Sequence, residues 1–352
     1  MQMEEILQRA LDSGASDIFL VAGFPVAYKI NSGVEPQQEQ RLMPPDTRSL
    51  ISRIYELSER SMDRLLQSGD DDFSFFVPGI MGRFRCCAYK QRSSLACVLR
   101  VVNFQLPDPE DMQIPESVMN LYQMQKGLIL VTGSAGSGKS TTLACLIDRI
   151  NHTRNGHIIT LEDPIEFIHS HKKSIVSQRE IEHDTESYAH ALRAALRQSP
   201  NVILLGGMRD FETIQTAVTA AETGQLVLST LHSVGSAMTV DRIIDVFPPA
   251  QQQQIRIQLS MVLQAVVSQQ LIPGTDGRLV PAFEVMLVNN AIRNLIKDGK
   301  VYQIDNAILT GGAQGMMLMD NSILELYRQG RISRENALLY AVNRQALQPK
   351  LT

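Results

Sequence analysis

The sequence predicts an α/β protein in two parts: a small α+β unit over about the first hundred residues, then a mostly parallel sheet flanked by helices. Three observations carry this prediction. Four apolar runs recur in the second part, at residues 128–131, 158–161, 202–205 and 226–231, with helical segments between them. Each run passes directly into polar residues: "GSAGSGKST", "EDPIEF", "GGMRD" and "STLHSVGSA". The first part instead alternates short helical and strand-like runs with turn residues.

In chain order, "MEEILQRALDSG" has apolar residues at helical spacing and a glycine stop. "SDIFLVAGFPVAYKI" gives two short strands around a Gly-Phe-Pro turn, and "DTRSLISRIYELSERSMDRLLQSG" one or two helices. "DDFSFFVPGIMGRFRCCAYKQRSSLACVLRVV" alternates as a meander does. Residues 103–118, "NFQLPDPEDMQIPESV", are rich in proline and acid and lack periodicity, which predicts a linker. "PPAQQQQ" predicts a helix start. Ligands of open α/β sheets sit at the carboxyl ends of strands, so four polar clusters at four strand ends point to one shared site.

Of the 352 residues, 44% are hydrophobic and 20% charged, with a net charge of −4. This is a globular composition with no global attraction to nucleic acid. Cys86, Cys87, Cys97 and Cys145 lack zinc-site spacing and are expected as reduced thiols. The acidic start is unlike a signal peptide. No apolar run reaches the roughly 18 residues needed to span a bilayer, so membrane association is expected through partners.

Residues 133–140, Gly133-Ser134-Ala135-Gly136-Ser137-Gly138-Lys139-Ser140, satisfy G-x-x-x-x-G-K-[ST]. That pattern arises by chance in roughly one chain in a hundred of this length. Here "GLILV" precedes it, and "STTLACLIDRI" follows with helical spacing, which is the strand–loop–helix context the motif requires. The loop amides are expected to close on phosphate oxygens, with Lys139 reaching the β- and γ-phosphates of ATP and the Ser140 hydroxyl ligating Mg²⁺. Glu162 and Asp163 follow the second strand. An acidic pair there is often a turn or cap, but beside a P-loop a carboxylate can orient and deprotonate water. His232 follows the fourth strand; a lone histidine in that position is more often structural, and near a γ-phosphate it can sense the phosphate. Arg83, Arg85, Arg92 and Arg100 lie in the first part. Surface arginines mostly serve solubility and weak ion pairing, and the alternative is an arginine finger delivered across a subunit interface.

Taken together these segments resemble the retraction ATPases of type IV pili, within the secretion-ATPase superfamily. The resemblance spans nearly the whole chain. It rests on "GASD", "DFSF" with "GRFR" and "KQR", "TGSAGSGKSTT", "TLEDPIEF", "HKKSIVSQREI", "ALRAALRQSPNVIL", "STLHSVGSA" and "AIRNLIKDGK". The loop has Ser134-Ala135 where the family usually has Pro-Thr, and the histidine box carries an extra residue. The resemblance implies a PAS-like α+β domain over residues 1–102 and a linker over 103–118. A RecA-like P-loop ATPase domain with a C-terminal helical region would fill 119–352. It implies a cytoplasmic homohexamer at the base of the pilus machinery, against an inner-membrane platform protein, with ATP at the subunit junctions. Ser134, Ala135, Gly136, Ser137, Gly138, Lys139, Ser140 and Thr141 would hold nucleotide, and Ser140 the metal. Glu162 would be the catalytic base and His232 the histidine-box residue. Arg85 and Arg100, with Arg83 as a further candidate, would reach ATP from the N-terminal domain.

One departure bears on activity. The family's Walker B segment reads G-E-M-R-D, and this chain has Gly206-Gly207-Met208-Arg209-Asp210. Gly207 thus replaces the glutamate, leaving Asp163 or Asp210, with water, to fill its place. Three alternatives to a retraction motor follow: a nucleotide-binding ring subunit with impaired hydrolysis, a related extension or secretion ATPase, and a DNA translocase. "AIRNLI" and the lack of a tetracysteine site disfavour the second. The acidic balance and the lack of a basic, aromatic stripe disfavour the third. In "AIRNLIKDGK", Ile292, Leu295 and Ile296 at i, i+3, i+4 fit a core-packing helix, and the resemblance gives the exposed remainder a motor-specific role. Because the lysine acts as a point charge on phosphate, Lys139→Ala is expected to cripple ATP affinity with the fold intact. Nucleotide titration of the folded variant checks this, and unchanged affinity would remove the assignment.

Overall fold

The computed structural model describes every residue except Met1, Asn31, Ser32, Met81, Phe104, Gln105, Arg209 and Thr352. Phe104 and Gln105 of the expected linker, and Arg209 of the segment after the third apolar run, therefore lie outside the described residues. The chain divides into two compact units, one of Met1–Gln105 with Glu166–Ile168 and the other of Leu106–Ile165 with His169–Thr352.

The first unit contains α1 (Met3–Asp12), β1 (Asp17–Leu20), β2 (Ala27–Ile30), β3 (Gly33–Pro36), α2 (Pro44–Leu57), α3 (Asp63–Ser68), β4 (Asp70–Phe76), β5 (Gly82–Gln91) and β6 (Ser94–Asn103). Its six strands form one antiparallel sheet in the order β3-β2-β1-β6-β5-β4. Phe84 and Cys86 of β5 are fully buried in a core with Ile6 and Leu7 of α1 and Ile51 and Ile54 of α2. The alternate residues of β5 face outward, which leaves Arg83 and Arg85 on the opposite side.

The second unit opens with α4 (Glu116–Met119). It continues with β7 (Gly127–Thr132), α5 (Lys139–Thr153), β8 (His157–Glu162), β9 (Ile175–Glu180), α6 (Tyr188–Ala195), β10 (Val202–Leu205), α7 (Phe211–Glu222) and β11 (Leu226–Leu231). Then come α8 (Ser236–Asp245), α9 (Pro249–Val262), β12 (Leu263–Pro273), β13 (Leu279–Leu287) and α10 (Asn290–Lys297). The helices α11 (Ile304–Thr310), α12 (Met319–Arg328), α13 (Arg334–Tyr340) and α14 (Arg344–Leu347) end the chain.

The seven strands run in the order β13-β12-β7-β11-β10-β8-β9, all parallel except β13. A parallel sheet is covered by helices on both faces, so its strands are apolar throughout. β7 shows the consequence. Leu128 and Leu130 enter a core with α7 and α8, while Ile129 and Val131 enter a second core with Leu143, Leu146 and Ile147 of α5. The four apolar runs thus stand as β7, β8, β10 and β11. β9, β12 and β13, absent from the sequence reading, extend the sheet on both sides. No helix among the described residues is long and apolar enough to cross a membrane.

The "AIRNLIKDGK" segment is α10 and the turn after it. Ile292 and Ile296 are buried and Leu295 packs partly against the same core. Arg293 also has a structural role. Its guanidinium donates to Ser260 O at 2.7 Å, Met261 O at 2.9 Å and Gln264 Oε1 at 3.3 Å. It therefore closes the C-terminus of α9, where helix carbonyls lack intrahelical donors. Losing this half-exposed cap is worth about 1 kcal/mol. Arg293→Ala is expected to lower Tm by about 2–4 °C; an unchanged thermal midpoint would reject the capping role.

Candidate active site

The strand order places β7, β11, β10 and β8 side by side, and their registers align the carboxyl ends. Thr132 pairs with Leu231, Leu205 with Ser229, and Leu205 with Leu161. The P-loop, His232, the Gly206-Gly207 step and Glu162 therefore emerge along one edge of the sheet.

At the first of these ends, Ser134, Ala135 and Gly136 form the exposed crest of the loop, Ser137 and Lys139 are buried, and Ser140 and Thr141 are half-buried in the first turn of α5. Gly138 is the N-cap of α5, in the left-handed region at φ 87°, and brings no side-chain acceptor to the helix amides. A β-carbon on it would lie 2.8 Å from Gln269 Nε2, and one on Gly133 would lie 2.3 Å from the Gln269 backbone oxygen. Real β-carbons do not approach a backbone oxygen so closely, so β12 permits only glycine at Gly133, whereas at Gly138 the neighbour is the movable end of the Gln269 side chain and the left-handed φ is what favours glycine. Gln269 also accepts a hydrogen bond from Thr142 Oγ1 at 2.8 Å, tying β12 to α5. Lys139 Nζ donates to Gly133 O at 3.0 Å and Ser134 O at 2.7 Å. The Ser137 hydroxyl is buried without a hydrogen-bond partner among the described residues. Together they form a concave, donor-lined seat at a helix N-terminus, suited to phosphate.

Beside this seat lies a cavity of about 230 Å³ bounded by Met112, Ile114, Thr141, Leu271, Leu279 and Pro281. Its lining is mostly apolar, suited to a flat ring held next to the phosphates. A linker over residues 103–118 gives Met112 and Ile114 no such role, so the cavity is a feature that the sequence alone does not reveal. Two apolar residues inside an acidic, proline-rich stretch were the available signal.

Glu162 ends β8. Thr160 Oγ1 donates to its Oε1 at 2.6 Å and Gln178 Nε2 at 3.2 Å, so neighbours two residues away and one strand over orient the carboxylate. Asp163 is exposed. The turn beyond it is held by buried Glu180, whose Oε2 accepts from the Ile165 amide at 3.2 Å.

The β10 end is tightly packed. A β-carbon on Gly206 would lie 2.7 Å from Tyr188 Oη and 3.3 Å from Glu162 Cα. Thr230 Oγ1 of β11 donates to Gly206 O at 2.6 Å. Gly207 is buried. Of the two acids considered as substitutes for a carboxylate at residue 207, Asp210 is committed elsewhere. It caps α7, accepting from Thr213 N at 2.9 Å and Thr213 Oγ1 at 2.7 Å.

His232 is exposed at the end of β11 and borders an open cavity of about 710 Å³ with Met238, Asp241 and Arg242 of α8. The turn after it closes at Gly235, at φ 92°.

Arg85 and Arg100 lie in the other unit. They are register partners on β5 and β6. Arg85 grips Asp72 through Nε at 3.0 Å and Nη2 at 2.7 Å, and Arg100 Nε lies 3.3 Å from Asp17 Oδ1. Arg100 remains largely exposed, at 71%. Neighbouring acids thus hold the two cations on the outward face of the sheet. Arg83 lies on the same face of β5, two residues from Arg85.

A RecA-like sheet with this P-loop and these flanking strand ends defines a P-loop ATPase. The model of the Type II/IV secretion system protein family matches residues 1–330, and the chain belongs to that family. It is 43% identical to the type IV pilus retraction ATPase PilT of Pseudomonas aeruginosa, over 96% of this chain and 97% of that protein. It is also 38% identical to the type IV pilus ATPase PilU of the same organism, over 97% and 89% of the two chains. The crystal structure of the pilus retraction motor PilT with bound ADP superposes with a TM-score of 0.91 at 44% identity, covering 99% of each chain.

A carboxylate at residue 207 would add one preorganised group beside Glu162. Loss of such a group commonly costs ~10²–10³ in turnover. Gly207→Glu is expected to raise kcat by up to about that factor, with a smaller change in nucleotide affinity and no gain when Glu162 is also changed to Gln. Steady-state kinetics of the parent, both single variants and the double variant check this. Flat turnover in an intact Gly207→Glu assembly would mean that another group, with exposed Asp163 first in line, already fills the role.

Proposed function

We propose that the chain is a hexameric motor that couples ATP hydrolysis to type IV pilus retraction, working in the cytoplasm against an inner-membrane platform protein. The observation that carries this reading is the alignment of four parallel strand ends on one edge, in a chain similar over its full length to retraction ATPases. Lys139 and the amides that open α5 hold the phosphates, and the cavity beside Met112 and Ile114 takes the base.

The seat fits a nucleotide with its Mg²⁺, since the buried Ser137 hydroxyl has no partner among the described residues and Gly138 contributes no side chain. Ser140 would hold the ion, which screens phosphate charge when bound. Glu162, oriented by Thr160 and Gln178, takes a proton from the attacking water. His232, exposed at the end of β11, would sense the γ-phosphate. Arg85 and Arg100 of a neighbouring subunit complete the site, as a finger that neutralises charge developing in the transition state.

A second reading, a ring subunit that binds nucleotide with impaired hydrolysis, is favoured by Gly207 alone. Measured turnover of the purified assembly separates the two. Restored twitching in cells lacking their own retraction motor supports the first, and its absence despite normal turnover counts against pilus retraction as the output. If the site is shared between subunits, Arg100→Ala is expected to abolish turnover while ATP binding stays within a few-fold. Full activity in a dilute monomer would contradict the shared site.

A further inference from the structure

Glu284 sits in the middle of β13, directly opposite Ser268 of β12, and is 5% exposed. No salt bridge reaches it among the described residues. Two backbone amides donate to it. Oε1 accepts from Ser236 N at 2.6 Å, and Oε2 accepts from Met319 N at 3.3 Å. These amides open two different helices, α8 and α12, and neither helix has a side-chain cap of its own. One buried carboxylate therefore caps both N-termini, where the helix dipoles favour negative charge. Burial pushes its carboxyl up from the ordinary range, and hydrogen bonding to Ser236, backbone and side chain, and to the Met319 amide acts against that shift. An apolar side chain would pack at this position at lower desolvation cost, so the carboxylate has to be explained by what it connects.

It connects the turn that follows His232 with the C-terminal helices. β12 holds the turn as well, since Gly235 N donates to Ser268 Oγ at 3.0 Å, and α8 closes it locally, with Ser233 Oγ and Thr239 Oγ1 2.8 Å apart and Thr239 Oγ1 donating to Gly235 O at 2.7 Å. At its other end Glu284 fixes the start of α12. Asp320, the second residue of that helix, accepts from Val342 N at 2.7 Å and Asn343 N at 2.8 Å, joining α12 to the segment between α13 and α14.

We propose that Glu284 is a positioning residue that fixes the turn carrying His232 relative to α12, so that the C-terminal helices set where His232 stands at the phosphate edge. The inference rests on the reading of His232 as a residue acting on the phosphate. It touches neither the P-loop nor the base cavity, so nucleotide affinity and turnover respond differently.

Glu284→Gln is the informative variant. It keeps the volume but replaces one acceptor with an NH₂ donor, so one of the two amides must lose its partner. The assembled Glu284→Gln enzyme is expected to keep ATP affinity within about twofold of the parent and to lose tenfold or more in kcat. In a His232→Ala background the same substitution is expected to cost nothing further, because both changes remove one function. Hydrogen exchange of the intact assembly is expected to speed up at the Ser236 or Met319 amide and not in α5. If His232→Ala cripples turnover while Glu284→Gln leaves kcat and exchange unchanged, Glu284 does not position the turn. Independent, multiplying costs in the double variant, or an equal loss of affinity and turnover, would make Glu284 a general stability residue and overturn the proposal. If His232→Ala itself leaves kcat unchanged, the reading of His232 fails and the proposal fails with it.

Discussion

The parallel register of β7, β11, β10 and β8 is the constraint on which the rest of the structure depends. Parallel neighbours require crossover helices, and those helices bury both faces of the sheet. Burial then stops specifying register, because a one-residue slip exchanges one apolar face for another. Leu128 and Ile129 would simply trade cores. Polar groups at the strand ends take over that task. Ser229 Oγ donates to Leu205 O at 3.0 Å and Thr230 Oγ1 to Gly206 O at 2.6 Å, both across the β10–β11 pair. A buried hydroxyl left without its carbonyl costs about 1–3 kcal/mol, so slippage of this pair is penalised at the edge where alignment matters.

The β12–β13 hairpin extends the same logic to the flank of the sheet. Successive residues of a strand point to opposite faces. Gln269 shares its face with Ala265 and Val267, on the side of α5, and wedges the P-loop. Ser268 shares its face with Val266, on the side of α8, and bonds to the turn after His232. One strand thus braces the phosphate seat with one residue and the histidine turn with the next. Displacement of β12 along its axis would disturb both together.

The central strands and the P-loop were legible because their signals are local: continuous apolar runs, and a loop motif whose spacing serves one ligand geometry. The flanking strands were not. "LQAVVSQQLIP" and "LVPAFEVML" carry Ser268, Gln269 and Glu284 among their apolar residues, with Gln264 and Gln270 also polar, which breaks the strand pattern around the residues that brace the site. Local rules tend to fail where function demands a polar group. The same holds for Arg293 and Asp210. Their sequence positions suggested exposed or metal-facing roles, whereas their side chains close helix ends, a job fixed by tertiary neighbours 32 or 33 residues away for Arg293 and by the local turn for Asp210. Arg85 and Arg100 were visible as cations in a meander. That they face each other across β5 and β6, each beside an acid, depends on pairing that spacing alone does not give.

In the proposed reading, binding and hydrolysis rest on separate parts of one edge. The phosphate seat is made by β7, α5 and the Gln269 wedge, none of which includes residue 207. The groups suited to water activation come from β8, β10 and β11, and there Gly207 removes a side chain while Glu162 keeps both of its orienting donors. Glycine at this buried step leaves the strand pairing in place, since Gly206 O still accepts from Thr230 and Met208 N still donates to Thr230 O at 3.3 Å. The chain therefore retains the geometry of a nucleotide-binding ATPase while lacking one acid expected at its reactive end. Any loss from that substitution should fall on the barrier to hydrolysis, because the electrostatic work of a preorganised carboxylate is done where charge develops in the transition state.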